Sequence, residues 1–220
     1  MSDDVKQRFP TRAAKARQTR RAILGAARGL FVRQGFAATT IQAIADHAGV
    51  AVQTVYAAFG NKRAVLAEVL DVAIAGDEEA ISVNERDWMH PVFHGPTGEA
   101  RLRAYAAAVR QIHDRAADVF AVVAGAATAD PEASTLHEEA ERRRRTGAAS
   151  VVAALTDLTP LRAGLDPEAA ADVLSLLNSW SAYHHLVRRQ GWTPDRFESW
   201  LGDTMVDLLL DRRRPSTRDR

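Results

Sequence analysis

Apolar positions along the chain recur at three- and four-residue spacing, and no convincing alternating run or hairpin signal interrupts them, so the pattern predicts an all-α protein. A first helix is expected from about Thr11 to Gln34, with Ile23, Ala27, Leu30 and Phe31 on one buried face and Gly35 closing it in the left-handed conformation. The stretch "TTIQAIADHAGV" predicts a short second helix capped by Thr39 or Thr40, with Ile41, Ile44, Ala45 and Ala48 as its inner stripe. Thr39 and Gln42 are spaced as a capping box. Gly49 ends this helix, Val50 and Ala51 make the turn, and a third helix runs from near Val52 to Ala58 or Phe59, with Val55 and Phe59 packed behind it. Two short helices joined by a glycine-containing turn form a helix-turn-helix unit.

Asn61 is placed to cap a fourth helix ending near Gly76. The segment "NERDWMHPVFHGPTG" reads as an irregular connection because prolines and glycines punctuate it. A helix from about Glu99 to Arg115 and a short one over "DVFAVVAGAAT" follow. The pairs Asp130-Pro131, Asp166-Pro167 and Thr193-Pro194 each set a capping side chain before a proline at the first helical position. They open helices to roughly Leu158, Gln190 and Leu210, the middle one stopped by Gly191.

Composition narrows the function. The 220 residues are 46% hydrophobic, enough for a real core. No apolar run approaches the roughly 18 to 20 positions of a membrane span, and the N-terminus lacks the apolar centre of a signal peptide, so a soluble, cytoplasmic protein is expected. Without cysteine there are no disulfides, thiolate metal sites or cysteine nucleophiles. The net charge of +1 conceals a separation: residues 1–66 hold eleven Lys or Arg against three acids, a net of +8, and the remainder carries −7. A basic first third on an acidic remainder points to a polyanion-binding module joined to something that avoids polyanions.

A helix-turn-helix turns the first residues of its second helix toward base edges, while flanking groups hold phosphates. Here Gln53 can pair with adenine through both amide atoms, and Val52 offers an apolar surface to a thymine methyl. Thr54 and Tyr56 carry hydroxyls suited to phosphate oxygens, and Lys62 stands at a helix start, where its ammonium and the free amides favour one anion.

The stretch "GFAATTIQAIADHAGVAVQTVYAAFGNKRAVLAEVL", residues 35–70, also resembles the TetR family of bacterial transcriptional repressors. The likeness is strong over about residues 15–70, in the pieces "GF", "TTI", "IADHAGV", "TVYAAF" and "NKRAVL"; past Leu70 it rests on helix count and length. The resemblance implies a three-helix DNA-binding domain, a helical ligand-binding and dimerisation domain, and release from operator DNA when a small molecule binds. It places Thr40, Thr54, Tyr56 and Lys62 at the family's usual phosphate contacts and Val52 and Gln53 at its variable base-reading positions. Ala51 stands where the family often has a capping serine, and Ala43 where an acidic residue often completes a capping box with Thr40; each missing cap costs about 1 kcal/mol of helix-end stability. The chain then divides into a disordered basic arm (1–14), a DNA-binding domain (15–60), a ligand-binding and dimerisation domain (61–212) with helix 61–76 as connector, and a tail (213–220).

In the second domain the helices 167–190 and 194–210 carry apolar residues on more than one face, a surplus that calls for a partner; a two-fold homodimer would pack them as a four-helix bundle and set two recognition helices about 34 Å apart, one DNA turn. Candidate pocket residues are the large or polar side chains in alanine-rich surroundings: Trp88, Phe93, Tyr105, His113, Phe120, Trp180, Tyr183 and His184, which suit a mostly apolar, planar molecule. No histidine spacing completes a metal set, no cofactor is implied, and the "ERRRR" run at 141–145 reads as a solvated charged face. No nucleophile elbow, phosphate loop or zinc-protease motif is present, so an enzyme is not expected. The rivals are a helical enzyme working on a small molecule in the aromatic middle domain, and an architectural DNA-binding protein that answers to no effector.

Overall fold

The computed structural model describes residues 11–128 and 130–211 and is all-α among them, with a single isolated bridge between Leu161 and Leu210. Thr11 caps α1 (Arg12–Ala38) by accepting from the Ala14 amide, so Arg12–Ala14 of the expected disordered arm are helical; residues 1–10 lie outside the described residues, as does the tail. Gly35, at φ 79°, breaks α1 just before its end, a conformation that favours glycine. This bend turns Thr39 inward, where its hydroxyl donates to the Gly35 carbonyl at 2.8 Å. The expected Thr39–Gln42 capping box is therefore absent. Thr40 caps α2 (Ile41–Ala48) instead, and Gln42 donates to Asp46 one turn on.

After a left-handed Gly49, α3 (Val52–Phe59) begins at Ala51 with no side-chain cap, and Asn61 caps α4 (Lys62–Ala75) through the Ala64 amide. Eight residues are too few to hold a helix in water, so α3 depends on its packing. Val55 is fully buried, with Val52 and Phe59 half-buried on either side, against a core of Ile23, Ala27, Phe31, Ile44, Leu66 and neighbours.

The connection expected to be irregular carries two 3-10 turns, Val83–Glu85 and Asp87–Met89, and a short helix, α5 (His90–His94), started by Pro91. The two helices expected across 99–127 are one, α6 (Gly98–Ala127), because no helix breaker lies between Asp114 and Asp118 and the Arg110–Asp114 pair spans one turn at the expected break. α7 (Pro131–Thr156) follows, and Asp130, Asp166 and Thr193 cap their helices as expected. The expected helix from Pro167 to Gln190 is instead broken. α8 (Pro167–Leu177) ends at Asn178, Ser179 caps the restart α9 (Trp180–Tyr183), and a π-helical stretch continues over His184–Arg189. Its polar side chain recruited into the core, Asn178 is the cause, as described below. α10 (Pro194–Leu209) completes the fold.

Two cores result. One joins α1–α4 to Ala116, Val119 and Val123 of α6 and Leu136 of α7; the other is built by α5 to α10 around Leu102, Leu155, Leu174, Phe197 and Leu201. α6 contributes to both, so the head formed by α1–α4 sits on the same long helix that carries the body. Arg115 of α6 reinforces the junction, donating to the Ala73 and Ile74 carbonyls at the end of α4 while its own carbonyl accepts from Arg28 of α1. No helix among the described residues is long and apolar enough to cross a membrane.

Candidate functional site

Apart from Lys62, the side chains assigned to DNA stand at the start of α2 and along α3 in the head. Gln53 is exposed at the start of α3, Tyr56 is 52% exposed one turn later, and Thr54 is half-buried between them. Thr40 is exposed at the start of α2; its oxygen accepts from the Ala43 amide, leaving the hydroxyl hydrogen for an outside acceptor. Thr40, Gln53 and Tyr56 are thus open to solvent, and Thr54 partly so. Val52 is half-buried against the head core and offers less surface outward than expected.

Lys62 differs most from expectation. Its ammonium donates to the Phe36 and Thr39 carbonyls, both at 2.9 Å, and lies 4.2 Å from the centre of the Phe36 ring. Desolvation by burial lowers its pKa. The lysine thus braces the turn between α1 and α2 against the start of α4, with one of its three N–H groups left over. Arg20 does similar work for α3, donating to the Ala58 carbonyl at 3.2 Å, stacking 4.3 Å from the Phe59 ring and pairing with Glu68 at 2.8 Å. Part of the basic charge counted in the first third therefore serves the fold. Arg12, Lys15 and Arg17 at the start of α1 are exposed and make no ion pair among the described residues.

Within the body lies a cavity of about 750 Å³, walled by α4, the 77–84 segment, α6, α7 and the Asn178–Trp180 break. Tyr105, His113, Phe120 and Trp180 line it, as the sequence suggests. The other four candidates do not. Trp88 is 5.4 Å from the Arg115 guanidinium, Phe93 packs on the body core, and His184 lies beside Trp180 at 5.5 Å. Tyr183 is buried behind the wall, stacked on His113 at 5.1 Å, its hydroxyl donating to Asp114; burial and that carboxylate raise its pKa.

A polar cluster forms one end of the cavity. Asn178 donates through its side-chain amide to the Tyr105 hydroxyl and accepts at Oδ1 from Arg144 (3.0 Å), while its backbone carbonyl accepts from His113 Nε2 (3.0 Å). Arg144 also donates to Ser175 at 2.8 Å and forms a two-point pair with Glu141. The arginine run is thus not uniformly solvated as expected: Arg144 turns inward, while Arg143 pairs with Asp71 and Arg145 with Asp172 on the surface. Burial pushes the Tyr105 phenol up to about 12 and pulls the His113 imidazole down to about 4, so both are neutral at pH 7. Sequence reasoning missed Asn178 and Arg144. The available signal was an Asn-Ser pair inside an otherwise apolar helix, a pattern that breaks helices when the amide finds a better partner elsewhere.

Residues 23–69 match the family model of bacterial regulatory proteins, tetR family. Among curated proteins none matches the chain. Among solved structures the chain is similar to NalD, the secondary repressor of the MexAB-OprM multidrug efflux pump in Pseudomonas aeruginosa, at 19% identity and a TM-score of 0.66, covering 91% of this chain and 100% of that one. It is also similar to the ketosteroid transcriptional regulator KstR2 of Mycobacterium tuberculosis (18% identity, TM-score 0.57, covering 87% and 95%) and to a protein from Saccharomonospora viridis solved in complex with choline (20%, 0.64, 89% and 100%). At these identities the likeness speaks for the fold. Residues 23–69 belong to the TetR family of bacterial regulatory proteins, and the chain along most of its length has the fold of these solved transcriptional regulators.

Proposed function

We propose that the protein is a ligand-responsive transcriptional repressor that binds palindromic operator DNA as a homodimer and is released by a small, mostly apolar or aromatic effector. The observation that carries this reading is the outward placement of Gln53 and Tyr56 on a short helix braced from behind by Val55 and Arg20. In this reading Gln53 reads bases, with Val52 making a lesser apolar contact, and Thr40, Thr54, Tyr56 and the remaining N–H of Lys62 hold phosphates.

Dimerisation through α8 and α10 is supported by what the subunit leaves uncovered. Leu176 is 71% exposed, Leu208 is exposed, and Val173, Leu177 and Trp200 are half-buried, although Leu174, Leu201 and Met205 on the same helices fill the subunit's own core. The regulatory route is supported by the cavity's position: α4 is both one wall of the cavity and a member of the head core, so an effector that favours one placement of α4 would shift the spacing of two heads. Selecting bound sequences from random duplex DNA with the full chain tests this. A two-fold palindrome with half-sites one helical turn or a multiple apart is expected; no enriched sequence, or a single unpaired half-site, would overturn it and favour an architectural role.

A further inference from the structure

The cavity opens on one side. Its exposed lining residues, among them Asp71, Ile81, Arg142 and Arg143, all lie on α4, the 77–84 segment or α7, and those on α6 and at the Asn178–Trp180 break are buried or half-buried. The mouth is therefore the gap between α4, that segment and α7. Across it Arg143 of α7 pairs with Asp71 of α4 at 2.9 Å, the two side chains 66% and 51% exposed. Glu68 lies one turn before Asp71 on α4, and Glu139 one turn before Arg143 on α7; both line the cavity, and the helical spacing makes each a neighbour of the pair. Glu68 is taken by Arg20 at 2.8 Å, whereas Glu139 makes no ion pair among the described residues. Partial burial raises the Asp71 pKa, and the charges of Glu68 and Glu139 add to the rise against the pull of Arg143. The exposed arginine thus offsets only part of the negative charge gathered at this side of the mouth.

The inner end of the cavity holds no positive charge for an anion. Arg144 commits its guanidinium to Glu141, Ser175 and Asn178, and His113, its pKa pulled down to about 4 by burial, is neutral at pH 7. Between the two ends the walls are largely apolar, with Val109, Ile112, Phe120 and Leu136 among them. We propose that the cavity takes effectors with one cationic group on an apolar body, the body filling the interior and the cation replacing Arg143 at Asp71, beside Glu139. This rests on the effector reading above and adds the chemical class of the ligand. An ion pair as exposed as Asp71–Arg143 contributes little, so its arginine gives way readily and returns to water. A cation anchored by a buried body is already in position and requires no long side chain to be ordered. A carboxylate in the same place would meet Asp71, Glu68 and Glu139 as like charges, leaving it only Arg142, which is exposed at the mouth outside any ion pair among the described residues. A single charge contact keeps the salt dependence of effector binding small.

Fluorescence anisotropy of 1-pyrenemethylammonium, 1-pyrenemethanol and 1-pyrenecarboxylate, each titrated with the full chain at pH 7, tests the proposal, since the three differ in charge on one ring system. The ammonium is expected to bind about 3- to 10-fold more tightly than the alcohol, and the carboxylate more weakly than either. The ratio of ammonium to alcohol affinity should rise in Arg143→Gln, where the competing guanidinium is gone, and fall toward one in Asp71→Asn. Both variants lose the same contact between α4 and α7, so opposite shifts cannot come from that loss. The wild-type comparison requires no variant and stands whatever the substitutions do to folding. Equal binding of all three compounds would overturn charge selection and leave the effector cavity intact, and a preference for the carboxylate would overturn it and assign the mouth to Arg142. Shifts of one sign in both variants would overturn the role of Asp71. Failure of all three to bind would remove the effector cavity and this proposal together.

Discussion

In the head, Thr11, Thr40 and Asn61 each accept from an amide three residues ahead, and Gln53 and Tyr56 face away from the fold. In the body, Asn178, Tyr105, His113 and Arg144 turn their polar atoms on one another inside the core, across sequence separations of 34 to 73 residues. The head's helix caps act locally and leave Gln53 and Tyr56 on its outer surface, whereas this polar cluster of the body is assembled over long range beside an interior space. A surface of the first kind suits a large charged polymer, which must approach from outside. A space of the second kind suits a small molecule that can enter and lose its water.

The contrast yields predictions of decreasing size. If the head's exposed cations neutralise six to ten phosphates in the dimer, DNA affinity should fall by about 10³ to 10⁵ between 50 and 200 mM salt, measured by fluorescence anisotropy, while effector affinity for the shielded cavity should hardly change. A similar salt response at both sites would break the distinction. In the body, Asn178→Ala strips partners from Tyr105 and Arg144 at once and should lower unfolding free energy by about 2 to 4 kcal/mol in urea titrations. A change below about 0.5 kcal/mol would mean that the cluster contributes nothing to cohesion.

The smallest of these effects concerns pH. His113 has its folded pKa lowered to about 4, below the unfolded value near 6.5, so between those values the unfolded chain binds a proton that the native protein refuses. The associated stability is complete above about pH 6.5 and is lost as pH falls toward 4. Wild-type stability should drop by about 2 kcal/mol more between pH 7 and pH 5 than that of His113→Phe. Parallel pH profiles for the two proteins would place the imidazole in contact with water.

The same contrast explains what could be read from the chain. Caps and glycine turns act within a few residues, so Gly35, Gly49, Asn61 and the three capped prolines marked their helices correctly, and the helix-turn-helix followed. The break at Asn178 was illegible, because α8 ends there to serve Tyr105, Arg144 and His113, each distant in sequence. The continuity of α6 past Arg115 is not marked by any local cap or breaker, and it is fixed by packing on both cores. Charge alone assigns Lys62 to an outside anion and counts Arg20 in the basic first third, yet their ammonium and guanidinium groups meet backbone carbonyls that only the folded head brings near. Of the pocket candidates, residue type alone could not separate Tyr183, sealed behind the wall, from His113, part of it.

The account depends on α3 presenting its leading side chains to DNA. Dissociation constants on a small operator library at one salt concentration, for wild type, Gln53→Ala and Tyr56→Phe, test this most directly. Tyr56→Phe should weaken every sequence by a similar factor, whereas Gln53→Ala should reorder them, with about 1 to 3 kcal/mol lost at the contacted base pair. Unchanged affinity and unchanged ranking in both variants would contradict the assignment of α3 as the reading helix.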